Sequence, residues 1–250
     1  MSRDWDAATY DRVSTPQLEW ARPVLDRLDL TGDETVLDAG CGSGRVTELL
    51  IELVPRGKVI AVDSAPAMVA KAREKIGDRA EVLLQDLTEL HLTEQVDAVF
   101  SNAVFHWVTD HDRLFTRLFE ALAPGGRIEA QCGGAGNIKT FHDAVNRLAD
   151  RPPFSAYFED WQGPWHFASD TEESERLERV GFVDVKCWLE DRPVTPPEPH
   201  DFIRTVCLGH HLEQLPEELR DTLVGRVVDT LGDPLTLEYV RLNISARKPA

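Results

Sequence analysis

The chain has 250 residues and a formal net charge of −17. That length fits one α/β domain with an insertion more economically than two domains, and the acidity argues against a nucleic-acid partner, because duplex binding needs a basic footprint that displaces counterions. No charged-then-apolar leader follows Met1-Ser-Arg-Asp, no apolar run approaches the ~18 residues of a membrane span, and Cys41, Cys132, Cys187 and Cys207 show no paired spacing, so a soluble cytoplasmic protein with free thiols and no membrane partner is expected.

Residues 1–34 read as a helical lead-in that lids the site, with Leu18, Ala21, Leu25 and Leu28 near helical spacing before the turn at Thr31-Gly32-Asp33. Val36-Leu-Asp-Ala-Gly-Cys-Gly-Ser-Gly-Arg45 then reads as a buried strand running straight into a glycine loop and a helix. Asp38 ends the strand, and Gly40, Gly42 and Gly44 remove side chains that would keep a ligand from backbone N–H groups at the helix start. Lys58-Val-Ile-Ala-Val-Asp63 supplies a second buried strand ending in a carboxylate, where a bound ribose would put its hydroxyls. The dinucleotide fingerprint is a poor fit: counting from Gly40, the sixth position, where it requires glycine, is Arg45. An acid ahead of the loop suits a cationic ligand better than a pyrophosphate. No Gly-Lys-Ser/Thr follows, which excludes a Walker loop.

Met68, Val69, Ala72 and Ile76 form one apolar helix face, and Leu114, Phe115, Leu118, Phe119 and Leu122 form another before Pro124-Gly125-Gly126. Between them, Glu81–Asp86 and Val96–Asn102 read as the third and fourth strands. Beyond Cys132 come Gly133, Gly134 and Gly136, a helix over 137–151 and an aromatic-rich loop carrying Phe154, Tyr157, Phe158, Trp161 and Trp165. Residues 172–180 read as a helix and 182–189 as a strand, before Pro193, Pro196, Pro197 and Pro199 break the pattern. Residues 200–232 read as a mostly helical cap, and Thr236–Arg247 returns as a closing strand. The resulting division is a lid over 1–34, a core over 35–133, a substrate-region insertion over 134–168, a core continuation over 169–194, the cap over 195–233 and the closing strand over 234–250.

With Asp38 ahead of Gly40-x-Gly42-x-Gly44 and Asp63 ending the next strand, the segment resembles the class I S-adenosylmethionine-dependent methyltransferases. The match extends through Asn102-Ala-Val-Phe-His-Trp-Val-Thr-Asp-His111 and Leu122-Ala-Pro-Gly-Gly-Arg-Ile-Glu-Ala-Gln131. In those stretches the chain looks like the trans-aconitate methyltransferase type and its relatives, which esterify small carboxylic acids, malonyl-thioester and juvenile-hormone-acid methyltransferases among them. The resemblance implies an α/β fold: a Rossmann-like, seven-stranded, mostly parallel sheet with helices on both faces, an antiparallel last strand and a helical cap. It implies S-adenosyl-L-methionine as cofactor and S-adenosyl-L-homocysteine as product. It further implies cofactor contacts from Tyr10, Gln17, Asp38, Gly40, Gly42, Gly44, Asp63, Ser64, Met68, Asp86, Leu87 and Asn102. In that reading Asp86 accepts from the adenine amino group and Asn102 lies beside the methionine half, while Trp5-x4-Tyr10-x6-Gln17 belongs to an N-terminal segment that closes over the cofactor.

His106, by the same resemblance, stands at the methyl-transfer end of the cleft, either as a general base or as a structural hydrogen-bond partner, and replaces a residue that is often Gln in the trans-aconitate type. Trp107, Trp161, Trp165 and His210 are candidate substrate-binding residues, with ordinary core packing or solvation as the competing reading. His166, His200, His210 and His211 invite a metal, but no His-Glu-x-x-His or comparable interval supports one, and none is expected. Arg204 and Arg241 could each bind an anionic substrate, but surface salt bridges are commoner, and neither is named as a site residue. The leading expectation is carboxyl O-methylation of a small molecule, because a carboxylic acid of pKa ~4 is already ionised at neutral pH and needs no base. O-, N- or C-methylation of another metabolite with His106 as base, and a non-catalytic cofactor binder, stay open.

Overall fold

The structure, a computed structural model, describes the backbone of residues 15–250 and the side chains of residues 19–250. Trp5 and Tyr10 lie outside the described residues, as does the side chain of Gln17. Seven strands form one sheet: β1 (Thr35–Ala39), β2 (Lys58–Asp63), β3 (Glu81–Leu84), β4 (Val96–Asn102), β5 (Leu122–Gly133), β6 (Val183–Asp191) and β7 (Val240–Arg247). Their order is β3-β2-β1-β4-β5-β7-β6, with the first five parallel and β7 antiparallel to both of its neighbours. β1, β2 and β4 are nearly continuous runs of buried residues, as strands covered on both faces must be. The strand order reverses between β1 and β4, which opens a crevice beyond their carboxyl ends.

Helices α1 (Thr15–Arg27), α2 (Arg45–Leu53), α3 (Pro66–Ile76), α4 (His111–Ala121) and α7 (Asp170–Val180) cover the sheet, and α5 (Lys139–Ala149) and the short α6 (Ser155–Phe158) follow β5. The lid expectation for the lead-in is corrected over its described part. Ala21, Val24, Leu25 and Leu28 are buried with Val36, Val59, Ala98 and Phe100, so α1 is a sheet-covering helix held by apolar burial of about 2 kcal/mol per large side chain. Among its described side chains, Trp20 joins the core at the crevice, against Tyr239 at 5.1 Å. The start of α7 also shifts from the sequence reading: a capping box between Ser169 and Glu172 begins it at Asp170. Pro124-Gly125-Gly126 lies within β5 rather than ahead of it. The register jumps from Val96↔Leu122 to Ala98↔Arg127, and the looped-out glycines exchange backbone hydrogen bonds with Lys248.

Beyond the carboxyl ends of the strands sits a second apolar core. Phe141 and Val145 of α5, Phe154, and Phe202, Leu212, Leu223, Val224 and Val227 from α8 (Pro199–Phe202), α9 (Gly209–Gln214) and α10 (Glu217–Leu231) pack together with Trp20 and Tyr239. Segments far apart in the chain thus close one roof over the crevice. Among the described residues no helix is long and apolar enough to cross a membrane.

Candidate active site

The glycine loop is more tightly stitched than its sequence suggests. Gly40 and Cys41 both donate to the Val62 carbonyl (2.8 and 2.9 Å), Gly44 donates to the Cys41 carbonyl (3.0 Å), and Gly42 donates to Asp63 Oδ2 (2.9 Å). The expectation that these amides face a ligand is corrected: four of them are used inside the protein. A side chain at Gly40 would strike Val104, and one at Gly44 would come within 2.8 Å of Ile76, so two of the three glycines serve close packing. Only Gly42, at φ 54°, has nothing within 4 Å of where a Cβ would stand. The loop therefore offers a ligand shape and an open approach at one point, which suits a group that is not a phosphate.

Two carboxylates, one buried and one half-buried, end the strands beside the loop. Asp38 is 2% exposed, and its Oδ2 accepts from the Thr47 hydroxyl at 2.6 Å. Burial, reinforced by the charge of Asp63, pushes its pKa up to about 7 despite that bond. Asp63 accepts backbone N–H bonds from Gly42 and Ala65, both at 2.9 Å, and burial also raises its pKa. Met68 and Leu87 are buried nearby in the chain, and Ser64 is exposed. Asp86 caps the turn Leu87–Glu89, accepting from the backbone N–H and hydroxyl of Thr88, both at 2.8 Å. Asn102 ends β4 opposite Gln131, and Ala103 after it has φ 62°, a strained conformation for a residue with a side chain.

A narrow cleft of about 600 Å³, including its solvent-open mouth, lies between that strand end and the cap. His106, Trp107 and Trp165 come together in it with Trp20, Asn137, Ile138, His142, Phe167, Tyr239 and Arg241. Ile138 also has positive φ, 42°, so both strained non-glycine residues of this region stand in the cleft wall. His106 is 8% exposed; its Nδ1 accepts the Gly133 N–H at 3.2 Å, which leaves the proton on Nε2. Burial first, and then the neighbouring charge of Arg241, hold its pKa well below the usual value, so the ring is neutral. The turn Phe105–Trp107 that carries it is pinned from behind: His111 meets the Phe105 carbonyl through Nε2 (2.9 Å) and Glu173 through Nδ1 (2.5 Å), and Arg176 donates to the same Glu173 oxygen at 2.8 Å. His166 joins that group, with candidate ligand atoms of His111, His166 and Glu173 all within 4.8 Å. Both nitrogens of His111 are engaged by protein atoms, and the cluster is a hydrogen-bond network that holds the turn.

Two expected substrate contacts fall elsewhere. Trp161 lines an outer cleft rather than this one, because it packs on Trp165 and His211 at 5.5 and 4.7 Å. His210 stands behind Trp107 at 5.1 Å and beside Glu213. Arg241, set aside on sequence, is the residue that reading missed. It is 2% exposed, lies over the Trp20 ring at 4.5 Å and donates to Gln131 Oε1 at 3.3 Å. Register places it opposite Gly133, the residue that holds His106. A signal was present: an arginine opening a last strand that runs antiparallel stands at the carboxyl ends of the parallel strands, where ligands bind. Arg204 does pair at the surface, with Asp221.

Residues 36–126 match the family model described as a methyltransferase domain. The chain is 35% identical over 245 residues to a trans-aconitate 2-methyltransferase of Acidovorax sp. (strain JS42), covering 93% of this chain and 91% of that protein. The chain belongs to the trans-aconitate methyltransferase-like branch of the class I S-adenosylmethionine-dependent methyltransferases. A trans-aconitate 2-methyltransferase of Methylobacterium nodulans is also 35% identical, over 61% of this chain but only 58% of its own length. In fold the chain is similar to phosphoethanolamine N-methyltransferase 2 of Haemonchus contortus, with a TM-score of 0.66 at 20% identity over 98% of this chain and 57% of that one.

The residues present fit this family's cofactor, S-adenosylmethionine. Buried Asp38 and half-buried Asp63, both of raised pKa, end the two strands beside the glycine loop, and a cationic ligand relieves both their desolvation and the repulsion of Asp38 by Asp63. The raised pKa of Asp38 has a measurable consequence. A cation bound beside it lowers that pKa, so binding releases a proton. Affinity is therefore expected to rise by up to about tenfold per pH unit below about 7 and to level off above it. Titration calorimetry of S-adenosylmethionine from pH 5.5 to 8 checks this, and Asp38→Asn should flatten the profile. A flat profile in the unsubstituted protein would remove Asp38 from the site.

Proposed function

We propose that this methyltransferase transfers the methyl group of S-adenosylmethionine to a carboxylate of a small molecule, forming a methyl ester. The observation that carries the reading is Arg241, a guanidinium 2% exposed in the wall of the cleft that holds His106. Burying a carboxylate is costly unless a cation meets it, and a planar guanidinium matches its two oxygens. S-adenosylmethionine, when bound, supplies an activated electrophilic methyl group. The chain's own residues then have three tasks: Arg241 aligns the carboxylate, the Nε2–H of neutral His106 donates to the acceptor, and the aromatic walls exclude water. No base is required, since the substrate is ionised well below neutrality. His106 is poorly set up as one, with Nδ1 engaged by Gly133 and its pKa depressed by burial. Cofactor roles for Tyr10, Gln17, Ser64, Met68, Asp86, Leu87 and Asn102 belong to the same proposal, as does a cytoplasmic site of action, which four free thiols support.

His106→Gln tests it. Glutamine keeps a donor at this position, so the rate with an acid substrate is expected to fall at most about tenfold, and neither protein should show a rate limb near pH 6.5. A loss of about 10²–10⁴-fold together with disappearance of such a limb would assign His106 as a base and point to a hydroxyl or amine substrate.

A further inference from the structure

The cleft's charge capacity and the nature of its walls narrow the substrate. Building on carboxyl methylation, we propose that the cleft takes a monocarboxylate carrying an apolar body of aromatic size, and discriminates against polycarboxylates. Among the described residues lining the cleft, Arg241 is the one guanidinium or ammonium group. The histidines do not add charge: burial lowers the pKa of His142 to about 4 and holds that of His106 well below its usual value. A second or third carboxylate on the substrate would therefore enter a buried space that has no further cation among the described residues to meet it. The rest of the described wall carries no formal charge and sets the neutral groups of His106, Asn137, His142 and Tyr239 beside a larger set of apolar side chains. Trp20, Trp107, Ile138, Trp165, Phe167 and Val206 line the cleft with the guanidinium, and the Trp107 and Trp165 rings meet edge-on at 74°, leaving ring faces and edges for a flat or branched hydrocarbon.

The wall also sets a length. An outer cleft, lined by Gly136, Lys139, Asn146 and Trp161, shares Asn137, His142, Trp165 and Phe167 with the inner one. The partition between the two is one layer of side chains, and Trp165 is its largest member. A substrate body longer than the inner cleft meets this partition, so removing the indole joins the two spaces.

The experiment gives the purified full-length protein S-adenosylmethionine and a panel of cinnamate, octanoate, dodecanoate, trans-aconitate and citrate. Release of S-adenosylhomocysteine and base-labile methyl incorporation are measured together. Cinnamate and octanoate are expected to exceed trans-aconitate and citrate in kcat/KM by about a hundredfold or more. Trp165→Ala should move the preference toward dodecanoate by about tenfold, with cofactor affinity unchanged. If Trp165→Ala does not fold, the comparison within the unsubstituted protein stands alone. Preferential esterification of trans-aconitate or citrate would overturn the inference and leave carboxyl methylation intact. Turnover of a hydroxyl or amine acceptor with none of the acids esterified would overturn both.

Discussion

Asp63→Ala is expected to weaken S-adenosylmethionine binding by about 2–4 kcal/mol, roughly 30- to 1000-fold, more than the loss of ligand contacts alone. The reason is that, in the proposed cofactor site, this carboxylate has two jobs. It ends β2 where the family places the ribose, and its two oxygens also accept the N–H groups of Gly42 and Ala65. Without it the Gly42 amide loses its partner, and Gly42 is the residue at which the loop opens to a ligand. Asp63→Asn should recover only part of the affinity, because its amide nitrogen would point a donor at one of those donors. Calorimetry measures the affinity, and thermal unfolding with and without cofactor separates a loosened loop from a lost fold. Unchanged affinity in Asp63→Ala would refute the assignment.

Arg241→Gln is expected to cut kcat/KM for an acid substrate by about 10²–10⁴-fold, the loss of two charge-assisted hydrogen bonds from a desolvated site. Most of that loss should appear in KM. As the carboxylate attacks the sulfonium-bound methyl, its negative charge is spent, so a guanidinium holds the ground state at least as strongly as the transition state. Arg241→Lys, which keeps the charge and loses the planar fork, should fall between. The side chain also lies on Trp20 and against Gln131, so circular dichroism and cofactor affinity must accompany the kinetics to show that the fold is kept. An unaltered KM in a folded Arg241→Gln protein would remove the carboxylate anchor.

The two variants fall on opposite sides of what this sequence discloses. Asp38, the glycines and Asp63 all stand within 26 residues, at the ends of two adjacent parallel strands paired in register from Thr35↔Lys58 to Ala39↔Val62. Local pattern sufficed there, because apolar runs mark buried strands and the residues that end them necessarily meet at one sheet end. Even so, the direction of the loop's amides was not legible: whether an N–H turns to a ligand or to the Val62 carbonyl depends on β2, not on the loop.

The substrate half was decided by long-range packing. Arg241, Asn243 and Ser245 alternate with Leu242, Ile244 and Ala246, the pattern of a strand with one solvated face. That face is instead roofed by α1, whose Arg27 pairs with Glu129 at 2.8 Å and bonds Asn243 at 3.2 Å, so the polar row becomes a buried ladder leading to the cleft. Trp161 and His210 are placed by the same kind of packing, against His211 and Trp107. Alternation tells which side chains share a face. What covers that face depends on elements more than 200 residues apart, such as Arg27 and Asn243, and only their packing determines whether a charge there is solvated or available to hold a substrate.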